Sequence, residues 1–144
     1  MRRVFVDANV LIAGADSRTG ASHAVLLMAE VGLFRAIVCK QVLDEAEKNL
    51  RKKLPRALSN FAAQMARLRL EILPDPSPEE ARPYEAIIDA SDAVILKAAV
   101  LASADRLITL NTRDFTQDVA KQCGIDIQTP AQFVEEIRQM ISDG

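Results

Sequence analysis

Apolar residues in this chain alternate between short unbroken runs and longer helical stripes. Val4-Phe5-Val6 is a β-branched and aromatic run of the kind that fills a parallel strand buried on both faces. Asp7 closes it and opens a turn, Asp7-Ala8-Asn9, before apolar sequence resumes at Val10-Leu11-Ile12. Residues 21–34 carry helical periodicity through Val25, Leu26, Met28, Ala29 and Leu33, and Ala36 to Cys39 is a second strand. Residues 41–54 form a helix with Leu43, Ala46, Leu50 and Leu54 along one stripe. Pro55 starts another helix, since proline is tolerated in a first turn. Leu70 to Leu73 is a third strand, and Pro74-Asp75-Pro76-Ser77-Pro78 is a loop. Residues 91–102 are apolar almost all round and predict a buried helix. A fourth strand at Leu107 to Leu110, a short helix over 115–122, a fifth strand at Asp126 to Gln128 and a helix opening at Pro130 complete the pattern. The terminal helix, with Phe133, Val134, Ile137, Met140 and Ile141, serves the core or an interface.

Strands alternating with helices imply a parallel α/β sheet with helices on both faces. A length of 144 residues makes a single domain over 1–144, and 49% hydrophobic content is enough for its core. Eighteen Lys and Arg against twenty Asp and Glu leave a net charge of −2, so no global field announces nucleic acid, although a local basic patch would suffice. Cys39 and Cys123 have no metal-type spacing, and Cys39 reads as a buried, reduced thiol. With neither a signal peptide nor a membrane span in view, the expected location is the cytoplasm.

What is scarce narrows the chemistry. His23 is the one histidine and sits at the start of a helix, where solvation or capping is its commoner role, so an enzyme built from this chain works with carboxylates. Carboxylates prefer hard divalent cations. Asp7 ends a buried strand, where open parallel sheets bind ligands, and burying its charge is costly without a partner. Three more handovers from strand to helix carry acids: Glu45 with Asp44 and Glu47 beside it, Asp92 with Asp89 one turn earlier, and Asp114 after the fourth strand. Each has a plain alternative. Asp92 suits the positive end of its helix, Asp114 is a helix cap, and Glu47 lies nearer the apolar stripe than Glu45 does. In a parallel sheet, however, all four places lie at one end. Carboxylates crowded there raise one another's pKa values, and one or two Mg²⁺ or Mn²⁺ ions would relieve them and support phosphodiester hydrolysis.

The run from Val4 to Ile12 resembles the opening of a PIN domain. Asp92-Ala93-Val94-Ile95-Leu96-Lys97-Ala98-Ala99, followed by residues 104–115 with Leu107-Ile108-Thr109-Leu110-Asn111-Thr112-Arg113-Asp114-Phe115, is similar to its closing half. The likeness spans nearly the whole chain, and its specificity lies in the ordered set rather than in any single motif. It implies a three-layer α/β/α sandwich around a parallel sheet and a Mg²⁺- or Mn²⁺-dependent ribonuclease. It further implies the toxin of a toxin–antitoxin pair, VapC-like, with an antitoxin partner and a homodimer. Asp7, Glu45 and Asp92 match the first three family acids, Asn9 the polar residue supporting the first, and Thr109 the hydroxyl residue ending the fourth strand. Many relatives carry an aspartate where this chain has Asn111. Asp114, the nearest carboxylate, takes that role in a pattern also found among relatives.

RNA has candidate contacts at Arg113, adjacent to an assigned acid, at Arg18, and in the cluster Arg51, Lys52, Lys53 and Arg56. For that cluster a solvated helix end is an equal reading. A different class of function is a PIN-fold RNA- or protein-binding module that cleaves weakly or not at all, motivated by Asn111. A phosphoaspartyl enzyme also uses an aspartate ending its first strand, but Asn9 stands where a dehalogenase-like phosphatase wants a second one. A receiver would need an adjacent acidic pair and a late lysine, and neither is evident.

Overall fold

A computed structural model describes residues 2–143. Five parallel strands, β1 (Arg3–Val6), β2 (Arg35–Cys39), β3 (Glu71–Leu73), β4 (Arg106–Ile108) and β5 (Asp126–Gln128), lie in the order β3-β2-β1-β4-β5. Val4, Phe5 and Val6 are fully buried, as expected of a central strand covered on both faces. Each such side chain contributes roughly 1.5–3 kcal/mol by leaving water.

Eight helices flank the sheet: α1 (Ala8–Asp16), α2 (Ala21–Glu30), α3 (Lys40–Lys53), α4 (Leu58–Leu68), α5 (Pro78–Ala81), α6 (Ala90–Leu101), α7 (Gln117–Cys123) and α8 (Pro130–Asp143). Helices α1 to α4 pack on one another, with α8 against α2, while α5 and α6 form a separate group and α7 packs against β5. This is the expected α/β/α sandwich. From β1 the chain steps through β2 to β3, then returns through α6 to β4 on the other side of β1. The order therefore reverses between β1 and β4, where α/β sheets open a crevice.

The largest departure from the sequence reading is α1. Asp7-Ala8-Asn9 is not a turn: Asp7 is the N-cap of a helix running to Asp16, and its side chain accepts from the Ala8 N–H. With only nine residues and Gly14 inside it, α1 has weak intrinsic helicity and owes its stability to packing. Gly14 has a tertiary reason, because a Cβ there would run into the Leu26 side chain and stand 3.3 Å from the Ser22 carbonyl. Pro55 opens a short 3₁₀ turn before α4 rather than α4 itself, and the proline-rich loop leads into the brief helix α5. In α8, Phe133 and Ile137 join the core, with the Phe133 ring edge-on to Phe34 at 5.1 Å, whereas Met140 and Ile141 are exposed. No helix among the described residues is long and apolar enough to cross a membrane.

Candidate active site

Asp7 stands one residue beyond β1. Its N–H continues the sheet ladder to the Ile108 carbonyl at 3.0 Å, which sets its side chain opposite that of Thr109, one residue beyond β4. Both residues are buried, Asp7 at 7% exposure and Thr109 at none. The Thr109 hydroxyl donates to Asp7 Oδ2 at 2.8 Å, Asn9 Nδ2 donates to the same oxygen at 3.3 Å, and the Ala8 N–H donates to Oδ1 at 2.8 Å. Asn9 also bonds Thr109 Oγ1 and accepts from the Leu110 N–H at 3.0 Å, which ties the start of α1 to the end of β4. Burial pushes the Asp7 pKa up, and these three donors hold it partway down. Asp7 is thus an anchored carboxylate with no cation beside it.

Glu45, on α3, lines the same cleft. Its pKa is raised by partial burial, with further contributions from the charges of Asp7 and Asp75, while Gln41 opposes by donating to it at 3.1 Å. Asp92, in the first turn of α6, also lines the cleft, and its pKa is pushed up to about 6 by burial and then by the charges of Asp114, Asp7 and Asp89. The structure therefore brings Asp7, Glu45 and Asp92 to one cleft of about 470 Å³ and places Asp114 within electrostatic reach. Asn111 lines the cleft too. Its amide N–H donates to Thr109 Oγ1, and its carboxamide donates to Asp114 Oδ2 at 3.0 Å while accepting from the Asp114 N–H at 3.3 Å. Asn111 and Asp114 act as a pair, the first holding the second in the turn after β4.

Three carboxylates lining one cleft, all disfavoured as anions by burial and two of them also by neighbouring charge, are the donor chemistry of a hard cation. Among the described residues, though, no three Asp, Glu, His or Cys side chains are gathered into a ready-made cage. The donor chemistry fits an ion that keeps several of its waters and takes only one or two carboxylates directly, as Mg²⁺ does.

The cations differ from expectation. Lys48, Asn49, Lys52 and Lys53 line the acidic cleft, so the sequence reading caught Lys52 and Lys53 and missed Lys48 and Asn49. Arg51 turns to the opposite side of α3, pairs with Glu47 at 2.7 Å and lines an apolar groove against α4. Arg113 is exposed and does not line the cleft, and Arg18 lines a separate cavity. His23 links two helices, its Nδ1 standing 2.9 Å from the Gly14 carbonyl. Asp75, in the loop just after β3, accepts from the Gln41 N–H at 2.8 Å and adds an acid beside Glu45.

The helical wheel placed Glu47 rather than Glu45 near the apolar stripe because it gave Leu43 and Leu54 full weight. The buried residues of α3 are Val42, Ala46 and Leu50. Glu45, Asn49 and Lys52 flank that stripe on the cleft side, and Leu43, Glu47 and Arg51 flank it on the other, each set at three- or four-residue spacing.

A family model described as PIN domain matches residues 3–113. No curated protein matches this chain in sequence. Among solved structures, the DNA-bound VapBC of Salmonella typhimurium superposes with a TM-score of 0.66 at 19% identity, covering 90% of this chain and 99% of the other. VapBC2 of Rickettsia felis, bound to a DNA fragment from its promoter, gives 0.63 at 16% identity over 88% and 98%. VapC20 of Mycobacterium tuberculosis, described as a toxin cleaving the sarcin–ricin loop, gives 0.58 at 16% identity over 83% and 94%. At these identities the likeness concerns the fold.

Proposed function

The chain belongs to the PIN domain family, and on that premise we propose that it is a metal-dependent endoribonuclease, the toxin of a type II toxin–antitoxin pair. The observation that carries the reading is Asp7, a buried carboxylate fixed by Thr109, Asn9 and the Ala8 amide at the same cleft as Glu45 and Asp92. Asp7 forms no ion pair among the described residues, and its charge helps raise the pKa values of Glu45 and Asp92. Asp7, Glu45, Asp92 and Asp114 would hold Mg²⁺ or Mn²⁺, which would supply a nucleophilic hydroxide and stabilise the leaving oxygen.

The remaining work falls to the chain itself. Thr109 and Asn9 keep Asp7 in one rotamer, so the site is formed before substrate arrives. Lys48, Lys52 and Lys53 bring positive charge to the wall facing the acids and meet the phosphates on either side of the scissile bond. With no aromatic side chain lining it, the cleft holds RNA by its backbone rather than by stacking. The protein would work as a single domain over 1–144 in the cytoplasm and form a homodimer, and an antitoxin would hold it inactive, a partner that the VapBC complexes sharing its fold support.

Ribonuclease assays with Mn²⁺ or Mg²⁺ on the wild type and Asp7→Asn test the activity, and equal cleavage by both, with contaminating nuclease excluded, would overturn it. A second reading, a PIN-fold binding module that cleaves weakly or not at all, is favoured by two observations: Asn111 stands where many relatives carry an acid, and no ready-made cage is present among the described residues. Titration calorimetry separates the two. Mn²⁺ binding that is lost on Asp92→Asn supports the enzyme, and no binding at millimolar concentration supports the module. Co-purification of the product of an adjacent gene tests the toxin assignment.

A further inference from the structure

Away from the acids, α1, α2 and α4 enclose a second cavity of about 430 Å³ lined by Arg18, His23, Glu30, Asn60, Gln64 and Arg67, among others. Two polar groups there lack partners. Gln64 is 4% exposed, and its carboxamide makes no hydrogen bond among the described residues. Glu30 Oε2 is likewise buried without a partner, while its other oxygen accepts from Arg67 Nε at 2.8 Å. Glu30 Oε2 carries the cost of an unsatisfied buried oxygen, about 1–3 kcal/mol, whereas the Gln64 carboxamide is not fully enclosed and offers a donor and an acceptor to the cavity it lines. The Glu30 charge is already answered by Arg67, and Arg18 has no ion pair among the described residues.

The cavity approaches the cleft along α1. A smaller hollow of about 270 Å³, lined by Ala15, Asp16, Leu54, Arg56, Ala57 and Asn60, shares Ala15 and Asn60 with it. On the other side the hollow and the cleft share no residue but are lined by neighbours along the chain: Lys53 lines the cleft and Leu54 the hollow, while Ile12 and then Ala15 and Asp16 follow on one face of α1. Lys48, Lys52, Lys53, Arg56 and Arg18 mark the route, and beyond the site acids and the neutralised Glu30 only Asp16 opposes them. From Asn9 to Ala15 the helix rises about 9 Å, which places the cavity roughly one or two nucleotides from the acids.

We propose that this groove is the track of a single RNA strand and that the far cavity takes one unpaired nucleotide flanking the scissile bond. Arg18 meets its phosphate, and Gln64 and Asn60 read the edge of its base, the pattern of donors and acceptors that a carboxamide pairs with. This rests on the ribonuclease reading but goes beyond it, because it assigns substrate selection to residues that take no part in cleavage.

Binding of a fluorescein-labelled single-stranded RNA of about 12 nucleotides, measured by anisotropy without divalent metal, tests it. Arg18 is exposed, so Arg18→Ala folds normally; it should weaken binding about tenfold and flatten the slope of log affinity against log salt by about 0.7. Gln64→Leu should leave that slope alone and alter the ranking among oligonucleotides differing at one position, which a merely packing role would not do. If Lys48→Ala and Lys52→Ala weaken binding while Arg18→Ala and Gln64→Leu change nothing, the track is overturned and the ribonuclease reading stands. If the wild type binds no RNA, that reading fails too. If Arg18→Ala instead releases a co-purified protein partner and leaves RNA binding intact, the cavity is a protein contact and the proposal is wrong.

Discussion

The two ends of the sheet treat acidic side chains in opposite ways. At the pole opposite the cleft Glu71 and Glu136 have each met an arginine. Glu71 grips Arg3 through two bonds of 2.9 and 2.7 Å, and Glu136 accepts from Arg106 at 2.7 Å, from Arg2 at 3.3 Å and from Gln128 at 2.8 Å. The hydrogen bond from Arg106 leads in holding the Glu136 carboxyl down at about 2, and that from Arg3 lowers Glu71. At the ends of the strands Asp7, Glu45 and Asp92 share one cleft, and burial raises all three, with the charges of neighbouring acids adding to the rise at Glu45 and Asp92. One residue chemistry thus serves stability at one pole and stored electrostatic tension at the other. Such raised values in a cleft mark a candidate functional site.

Substitutions that exchange the two behaviours sharpen this contrast. The largest effect belongs to Asp7→Asn, which should cut metal-supported cleavage by about a hundredfold to a thousandfold while raising the melting temperature in metal-free buffer. The sign follows from the raised pKa: ionised Asp7 costs folding free energy at neutral pH, and asparagine does not. A lowered melting temperature would show that Asp7 is structural. Next comes Thr109→Val, which keeps the shape and removes the hydroxyl that holds the Asp7 pKa down. Mn²⁺ affinity by calorimetry should fall about tenfold to a hundredfold, the usual loss when a group orienting a ligand is removed.

At the opposite pole Glu136→Gln should leave cleavage unchanged and lower stability in urea unfolding by about 1–3 kcal/mol, because Arg106 and Arg2 lose a charged acceptor. The smallest effect is in the pH profile of stability without metal. The Glu136 contribution is fully present above about 4.5, the carboxyl's ordinary value, and is lost as pH falls toward about 2. Asp92 works the other way: with a folded pKa of about 6 against an ordinary 3.8, its end of the molecule gains stability as pH falls through that window. Asp92→Asn should therefore remove a rise in stability between pH 6 and 4. An unchanged profile would show that Asp92 does not sense its neighbours.

Much of this was legible in the chain. The Val4–Val6 run, the apolar stripes and the strand-to-helix handovers placed the strands, most helices and the end of the sheet where the acids lie, because hydrophobic periodicity is local and strong. The first helix was missed because Asp7 caps it immediately after a strand, leaving no loop to mark the change, and because packing of Gly14 against α2 supplies what its own sequence lacks. Asp7, at the end of a buried strand, was readable from sequence as a residue in need of a partner.

Which residues share a space was settled only in three dimensions. The rotation of α3 about its buried stripe decides that Glu45, Lys48, Asn49 and Lys52 face the acids while Glu47 and Arg51 face away, and a shift of one residue in that stripe exchanges the two sets. The reversal of strand order between β1 and β4 brings Thr109 to Asp7 across 102 residues. The packing of α1 on α2 and α4 turns Arg18 away from the acids and toward Gln64. A sequence fixes which positions must be buried, because each side chain carries its own transfer free energy. The partners of a polar side chain depend on the relative placement of whole elements, and no local pattern records that.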